Sequence, residues 1–250
     1  MRENPRLQVA VFRPDDERKA EAVELLEALG ADPVADPMLS VEPTGSRPRS
    51  DADYVVLTSK TGVELAAEVD WSPDDATVCA IGRSTADAFE AAGYTVDLIP
   101  EEYSSTGLVD TLEDRVAGRR VEVARSDHGS DVLTDGLEAA GAYVHETILY
   151  RLVRPEGSGE SAELAAESEL DAALFTSSLT VSHFLAAADV RGVRREAVQG
   201  LNDAVVGAIG APTRRTAENA GLSVDVVPET ADFETLATAV VEDAAPTYYE

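Results

Sequence analysis

The chain has 250 residues, enough for one large core or two small ones, and no stretch long and apolar enough to span a bilayer. Its single cysteine, Cys79, excludes an intrachain disulfide and a multi-cysteine metal site, and suits a reducing cytoplasm. Acids outnumber bases 48 to 20, for a net charge of −28, which excludes sequence-independent nucleic-acid binding and reads as a halophilic protein, its self-repulsion screened over about 3 Å at molar salt.

The polar Met1–Arg6 is no signal peptide. A first strand is expected at Leu7–Phe12, ending at Arg13, and an acidic amphipathic helix follows, with Val23, Leu26 and Leu29 on one face. Asp36–Glu42 is extended and breaks the strand–helix alternation. Tyr54–Leu57 is the next strand and ends in Thr58-Ser59. Thr77–Ile81 runs into the turn Gly82-Arg83-Ser84-Thr85, and Ala92-Gly93 stops the helix behind it. Cys79, between apolar neighbours, is expected to be a buried and inert thiol. Short strands follow at Thr95–Leu98 and Arg120–Ala124, the second ending in Arg125-Ser126. Glu146–Val153 occupies the place in the second half that Asp36–Glu42 has in the first. Each of the two is either a sheet strand or a connection between domains. Gly157–Ser161 reads as a flexible loop and Arg191–Arg195 as a solvated face. The last strands are Ala172–Phe175, ending in Thr176-Ser177, then Ala204–Ile209, running into Gly210-Ala211-Pro212-Thr213, and Ser223–Val226. Ala244–Glu250 is a frayed tail.

The halves echo one another. Val78–Thr85 matches Val206–Thr213, and the match continues in register through Ala92-Gly93 with Ala220-Gly221, Val96-Asp97 with Val224-Asp225, and Pro100-Glu101 with Pro228-Glu229. Upstream, Asp53–Ser59 matches Asp171–Ser177, and before that Val11–Arg13 matches Val123–Arg125. Three blocks in one order imply an internal duplication. Alternating strands and helices imply an α/β fold of doubly wound parallel sheets.

Such sheets bind ligands at the carboxyl ends of their strands, where Arg13, Thr58, Ser59, Gly82, Ser84, Thr85, Arg125, Thr176, Ser177 and Thr213 fall. Hydroxyls at these turns cap helices, and the backbone N–H groups beside them bind anions. No turn follows the Walker or G-x-G-x-x-G pattern. His128, His145 and His183 lack zinc-type spacing, and no Ser-His-Asp set emerges. No cofactor and no metal are expected. The residues alone leave open a cytoplasmic two-domain module binding a small anion, and a flavin-dependent relative of the flavodoxins.

The strand ending in Thr58-Ser59, the Ile81–Thr85 turn with Ala92-Gly93 behind it, Leu149-Tyr150-Arg151, Phe175-Thr176-Ser177 and Ile209–Thr213 together resemble the uroporphyrinogen-III synthase family over nearly the whole chain. The resemblance implies two flavodoxin-like domains: a discontinuous one of residues 1–35 plus 154–243, and a second of 43–145. Residues 36–42 and 146–153 would be connector strands and 244–250 a tail. It also implies a cofactor-free cyclisation of hydroxymethylbilane in a mobile cleft, with Tyr150 assisting departure of the substrate hydroxyl. Thr85, Ser59, Thr213 and Ser177 would line the cleft. It further implies a cytoplasmic monomer that meets no nucleic acid and no membrane and makes transient contact with hydroxymethylbilane synthase. Arg13 and Arg125 are added from their strand-end positions, as partners for substrate carboxylates.

Overall fold

A computed structural model describes residues 6–245. The chain divides into two compact units, a split one of Met1–Ser40 with Val153–Glu250 and a continuous one of Val41–Leu152. The split unit begins with β1 (Gln8–Val11), α1 (Glu17–Ala28) and β2 (Asp32–Ala35). After β3 (Ser40–Pro43), the continuous unit runs through β4 (Tyr54–Leu57), α2 (Lys60–Glu68), β5 (Thr77–Ala80), α3 (Arg83–Ala91), α4 (Ser105–Leu112), β6 (Arg120–Ser126), α5 (Asp131–Ala139) and β7 (Tyr143–Val153). The split unit is completed by α6 (Glu160–Ala166), β8 (Ala172–Phe175), α7 (Ser178–Arg191), α8 (Arg194–Asn202), β9 (Val205–Ala208), α9 (Ala211–Asn219) and α10 (Phe233–Ala244). No helix among the described residues is long and apolar enough to cross a membrane.

Each unit is a sheet covered on both faces. The split unit has strand order β2-β1-β8-β9, and the continuous unit β3-β7-β6-β4-β5. The β1–β2, β1–β8 and β8–β9 ladders are parallel, as are β4–β5, β4–β6 and β6–β7. The two-residue period of a strand explains the double covering. In β1 and the residue after it, Ala10 and Phe12 join one core while Val9 and Val11 join another on the opposite face. Ala173 and Phe175 of β8 repeat this division against Ala172 and Leu174. The Phe12 and Phe175 rings stack at 4.7 Å, and each such fully buried side chain contributes about 1.5–3 kcal/mol.

Several expectations need correction. Thr95–Leu98 and Ser223–Val226 are not strands: each makes one isolated bridge, Cys79 to Leu98 and Gly207 to Val226. The reason is side-chain competition. Asp97 Oδ2 accepts from Val78 N at 2.8 Å and Asp225 Oδ2 from Val206 N at 2.9 Å, so a carboxylate takes a donor that a full ladder would use. β2 went unforeseen, because Asp32-Pro33 reads as a turn; as an edge strand it tolerates the proline. Gly157–Ser161 is no free loop. The buried Asp36 carboxylate accepts from Gly159 N, Ser161 N and Ser161 Oγ at 2.5–3.0 Å, which pins the start of α6. β7 begins at Tyr143 and pairs with β6 from Arg120↔Tyr143 to Ser126↔Tyr150, so the second irregular stretch starts as a sheet strand and ends where the chain passes from the continuous unit to the split one. Of the expected tail, Ala244 ends α10 and 246–250 lie outside the described residues.

Candidate functional site

In the continuous unit, β4 delivers Thr58 and Ser59 to the carboxyl edge of the sheet. Ser59 is the N-cap of α2: its backbone is extended and its Oγ accepts from Gly62 N at 3.0 Å. The same Oγ lies 2.9 Å from the Tyr150 hydroxyl. Tyr150 is only 6% exposed and its ring belongs to the core, while its hydroxyl meets Ser59 just beyond β4. A serine hydroxyl holds two lone pairs and one proton. With one lone pair given to Gly62 N–H, Ser59 can still donate to the tyrosine oxygen, leaving the phenolic proton free for another acceptor. The amino end of α2 lies beside this pair and favours negative charge there.

Next along the edge, Gly82 caps α3 without a side-chain bond. Ser84 is exposed and Thr85 is buried. In the split unit, Ser177 caps α7 by accepting from Thr180 N at 3.1 Å and closes a capping box with Thr180, while Thr176 stands half-buried before it. Gly210 caps α9 as Gly82 caps α3, with no side-chain bond. Thr213 occupies the register of Thr85. The two threonines are 3% and 4% exposed respectively, so either meets a ligand only through a narrow window.

The two arginines chosen by position part company. The Arg13 guanidinium lies 4.5 Å over the Phe233 ring, and its buried Nε has no hydrogen-bond partner. Burial first, then Arg18, holds this guanidinium below its ordinary value. A desolvated cation with an unused donor is suited to a carboxylate. Arg125, by contrast, is 4% exposed and spent: Nε bonds Glu146, and Nη1 donates to the Ser130 carbonyl at 2.5 Å. It braces the loop after β6 and is no ligand anchor.

Burial, the largest cause, pushes the Cys79 thiol up to about 12, in keeping with an inert core position. The histidines are occupied locally: His128 Nδ1 with Asp127 at 2.8 Å, His145 Nδ1 with buried Glu122 at 2.6 Å, and His183 Nδ1 with Met38 O at 2.5 Å. Among the described residues, no group of three or more His, Cys, Asp or Glu could hold a metal ion. Arg191, Arg194 and Arg195 pair with Glu163, Asp189 and Glu196.

The charge at the helix starts carries more information. Acids stabilise a helix in its first turn, and this chain has 48 of them. Helices α1, α5, α6, α8 and α10 have an acid there. Helices α2, α3, α4, α7 and α9 have none, and of these α2, α3, α7 and α9 follow β4, β5, β8 and β9. Lys60, Arg83 and Arg214 stand in three of those turns instead. The helices after β1, β6 and β7 do begin with acids, so the acid-free turns belong to these four strand ends and not to the sheet edges as a whole.

The family model described as uroporphyrinogen-III synthase HemD matches residues 20–238. The chain belongs to the uroporphyrinogen-III synthase family. It is 34% identical over 240 residues, 88% of this chain and 92% of the relative, to a protein of Methanothermobacter thermautotrophicus provisionally named uroporphyrinogen-III synthase. It is 30% identical over 175 residues, 64% of this chain and 66% of the relative, to the uroporphyrinogen-III synthase of Synechococcus elongatus. Its fold resembles that of a mutant uroporphyrinogen-III synthase from the extremely thermophilic bacterium Thermus thermophilus at a TM-score of 0.66 and 20% identity, covering 95% and 98% of the two chains. Sequence reasoning did not single out Lys60 and Arg214, which pair one turn on with Glu64 and Glu218. Basic first turns are not confined to the helices at these strand ends, since α1 carries Arg18-Lys19 and α8 Arg194-Arg195 there.

Proposed function

We propose that this protein is the synthase itself, a cytoplasmic hydro-lyase that closes hydroxymethylbilane with inversion of ring D. The observation that carries the reading is the Ser59–Tyr150 hydroxyl pair at the amino end of α2. The substrate loses its terminal hydroxyl to give an electrophilic azafulvene. With Ser59 donating to its oxygen, Tyr150 is free to pass its phenolic proton to that hydroxyl, which departs as water. The terminal pyrrole then attacks through its substituted carbon to a spirocyclic intermediate, which rearranges as the macrocycle closes. The remaining task is holding the reacting carbons together.

The substrate is a polycarboxylate, and the chain is strongly acidic. The acid-free first turns of α2, α3, α7 and α9 support local binding of such an anion. Thr58, Ser59, Gly82, Ser84, Thr85, Thr176, Ser177 and Thr213 sit at those turns, and Arg13 offers a desolvated cation; Arg125 drops out. We read the protein as a salt-adapted monomer, the matched halves as one duplicated unit, and hydroxymethylbilane synthase as the transient partner that delivers substrate. The deciding assay generates hydroxymethylbilane in situ at high potassium chloride and separates the oxidised uroporphyrin isomers. Type III above the enzyme-free control is expected. Type I alone, from folded protein, would discard the reading in favour of an anion-binding module.

A further inference from the structure

Tyr103 is 59% exposed. Among the described residues the other exposed aromatic is Tyr143, 70% exposed, which pairs with Arg120 at the opposite, amino end of the strands. A lone exposed tyrosine needs no explanation by itself, but the backbone around Tyr103 is shaped to hold it. A Cβ on Gly82 would lie 3.2 Å from Tyr103 Cγ and 3.3 Å from its Cβ, so the side chain rests on the bare backbone that opens α3. The Gly82 φ of −172° is open to any residue, so the glycine is there for space. On the other side, a Cβ on Gly107 would lie 2.1 Å from the Glu102 carbonyl oxygen, so only glycine lets the turn approach α4. Ser104 ties the turn down: its N donates to Glu102 O and its Oγ to Glu102 Oε1, both at 2.8 Å, while Oγ accepts from Gly107 N at 3.0 Å. Among the described residues the Tyr103 hydroxyl makes no hydrogen bond. Two glycines and a braced turn therefore present one aromatic face and one unused hydroxyl beside the Gly82 turn.

We propose that Tyr103 contacts the substrate: its ring stacks on one pyrrole and its hydroxyl donates to a carboxylate carried by that pyrrole. This rests on the synthase reading. Pyrrole is an electron-rich aromatic, and offset stacking on a phenol suits both rings. Gly82 follows β5 and Tyr150 lies on β7, three strand spacings away in the order β7-β6-β4-β5, about 14 Å. A chain of four linked rings spans that distance, so Tyr103 grips a ring remote from the reacting hydroxyl and contributes to specificity.

The test is steady-state kinetics in high potassium chloride with freshly made hydroxymethylbilane and isomer separation. Tyr103→Leu is expected to raise KM roughly 2- to 10-fold, the worth of one stacked pair, with a smaller change in kcat. The type I share should rise at low substrate, as more of it closes unaided. Tyr103→Phe should recover most of the KM, and Gly82→Ala, which displaces the ring, should raise it. Tyr143→Leu is the control and should leave KM unchanged. Circular dichroism and melting of each variant report folding. Wild-type KM in folded Tyr103→Leu, or an equal rise in Tyr143→Leu, overturns the proposal while wild-type type III product keeps the synthase reading. Wild-type protein yielding only type I removes both.

Discussion

At the strand ends, the continuous and split units are held by the same bonds. In the continuous unit Asp53 exchanges two bonds with Arg120 backbone, both 2.8 Å; in the split unit Asp171 does the same with Gln8, at 2.9 and 2.7 Å. Asp97 and Asp225 each take the N–H of a strand residue, Val78 and Val206. Gly82 and Gly210 both open a helix from extended backbone, at φ −172° and −177°. The departures lie in the side chains laid on this frame. Ser59 bonds a tyrosine hydroxyl, whereas Ser177 is closed on itself by Thr180. Gly82 lies under Tyr103, whereas a Cβ on Gly210 would meet nothing nearer than Pro212 Cδ at 3.9 Å. Backbone geometry is shared between the units, and the Ser59–Tyr150 hydroxyl pair is found in one of them.

That contrast can be broken most sharply at Tyr150. Tyr150→Phe removes the hydroxyl but keeps the ring, and kcat should fall about 100-fold, in the range of a lost general acid. A fall under about threefold would leave the Ser59–Tyr150 pair without a role in the chemistry.

Next in size are the paired aspartates. Asp97→Ala and Asp225→Ala each strip a strand N–H of its partner, costing about 1–3 kcal/mol in denaturant melts at high salt. The Cys79 thiol, raised from 9.0 to about 12 by burial, reports which unit opens. Below pH 9 it should react with an alkylating agent faster in Asp97→Ala and no faster in Asp225→Ala. The raised value also means that this thiol's contribution is fully present below pH 9 and is lost as pH climbs towards about 12.

Smaller effects separate capping from catalysis. Ser59→Ala and Ser177→Ala should each cost about 1 kcal/mol of stability as lost N-caps, but only Ser59→Ala should lower kcat. The smallest effect belongs to Gly210→Ala, within about 0.5 kcal/mol, since its Cβ enters open space.

Much of this architecture was legible because buried parallel strands advertise themselves. Tyr54–Leu57 and Ala172–Phe175 are continuous apolar runs, and both are strands over those bounds. Ala92-Gly93 and Ala220-Gly221 stop their helices, with Gly93 and Gly221 at φ 85° and 91°. Ser59 and Ser177 were legible as caps for the same local reason. Arg125 misled because a strand-end arginine looks the same whether or not a carboxylate already holds it; Glu146, 21 residues away, does. Tyr103 drew no attention because an aromatic in a Glu- and Ser-rich turn has no periodicity to place it.

The amino-acid sequence by itself determined the strand–helix alternation and the strand ends that carry Ser59, Ser177, Gly82 and Gly210. Those features follow from local rules: period-two burial, helix caps and glycine stops act over a few residues. Only the tertiary structure decided that the Tyr150 hydroxyl meets Ser59 across 91 positions, that Asp36 clamps the start of α6 across 123, and that Arg125 is already paired. Bonds of that reach depend on strand order and on the register shift at Leu149, between Arg125↔Ile148 and Ser126↔Tyr150, that sets the phase of Tyr150, and neither is written in any local pattern.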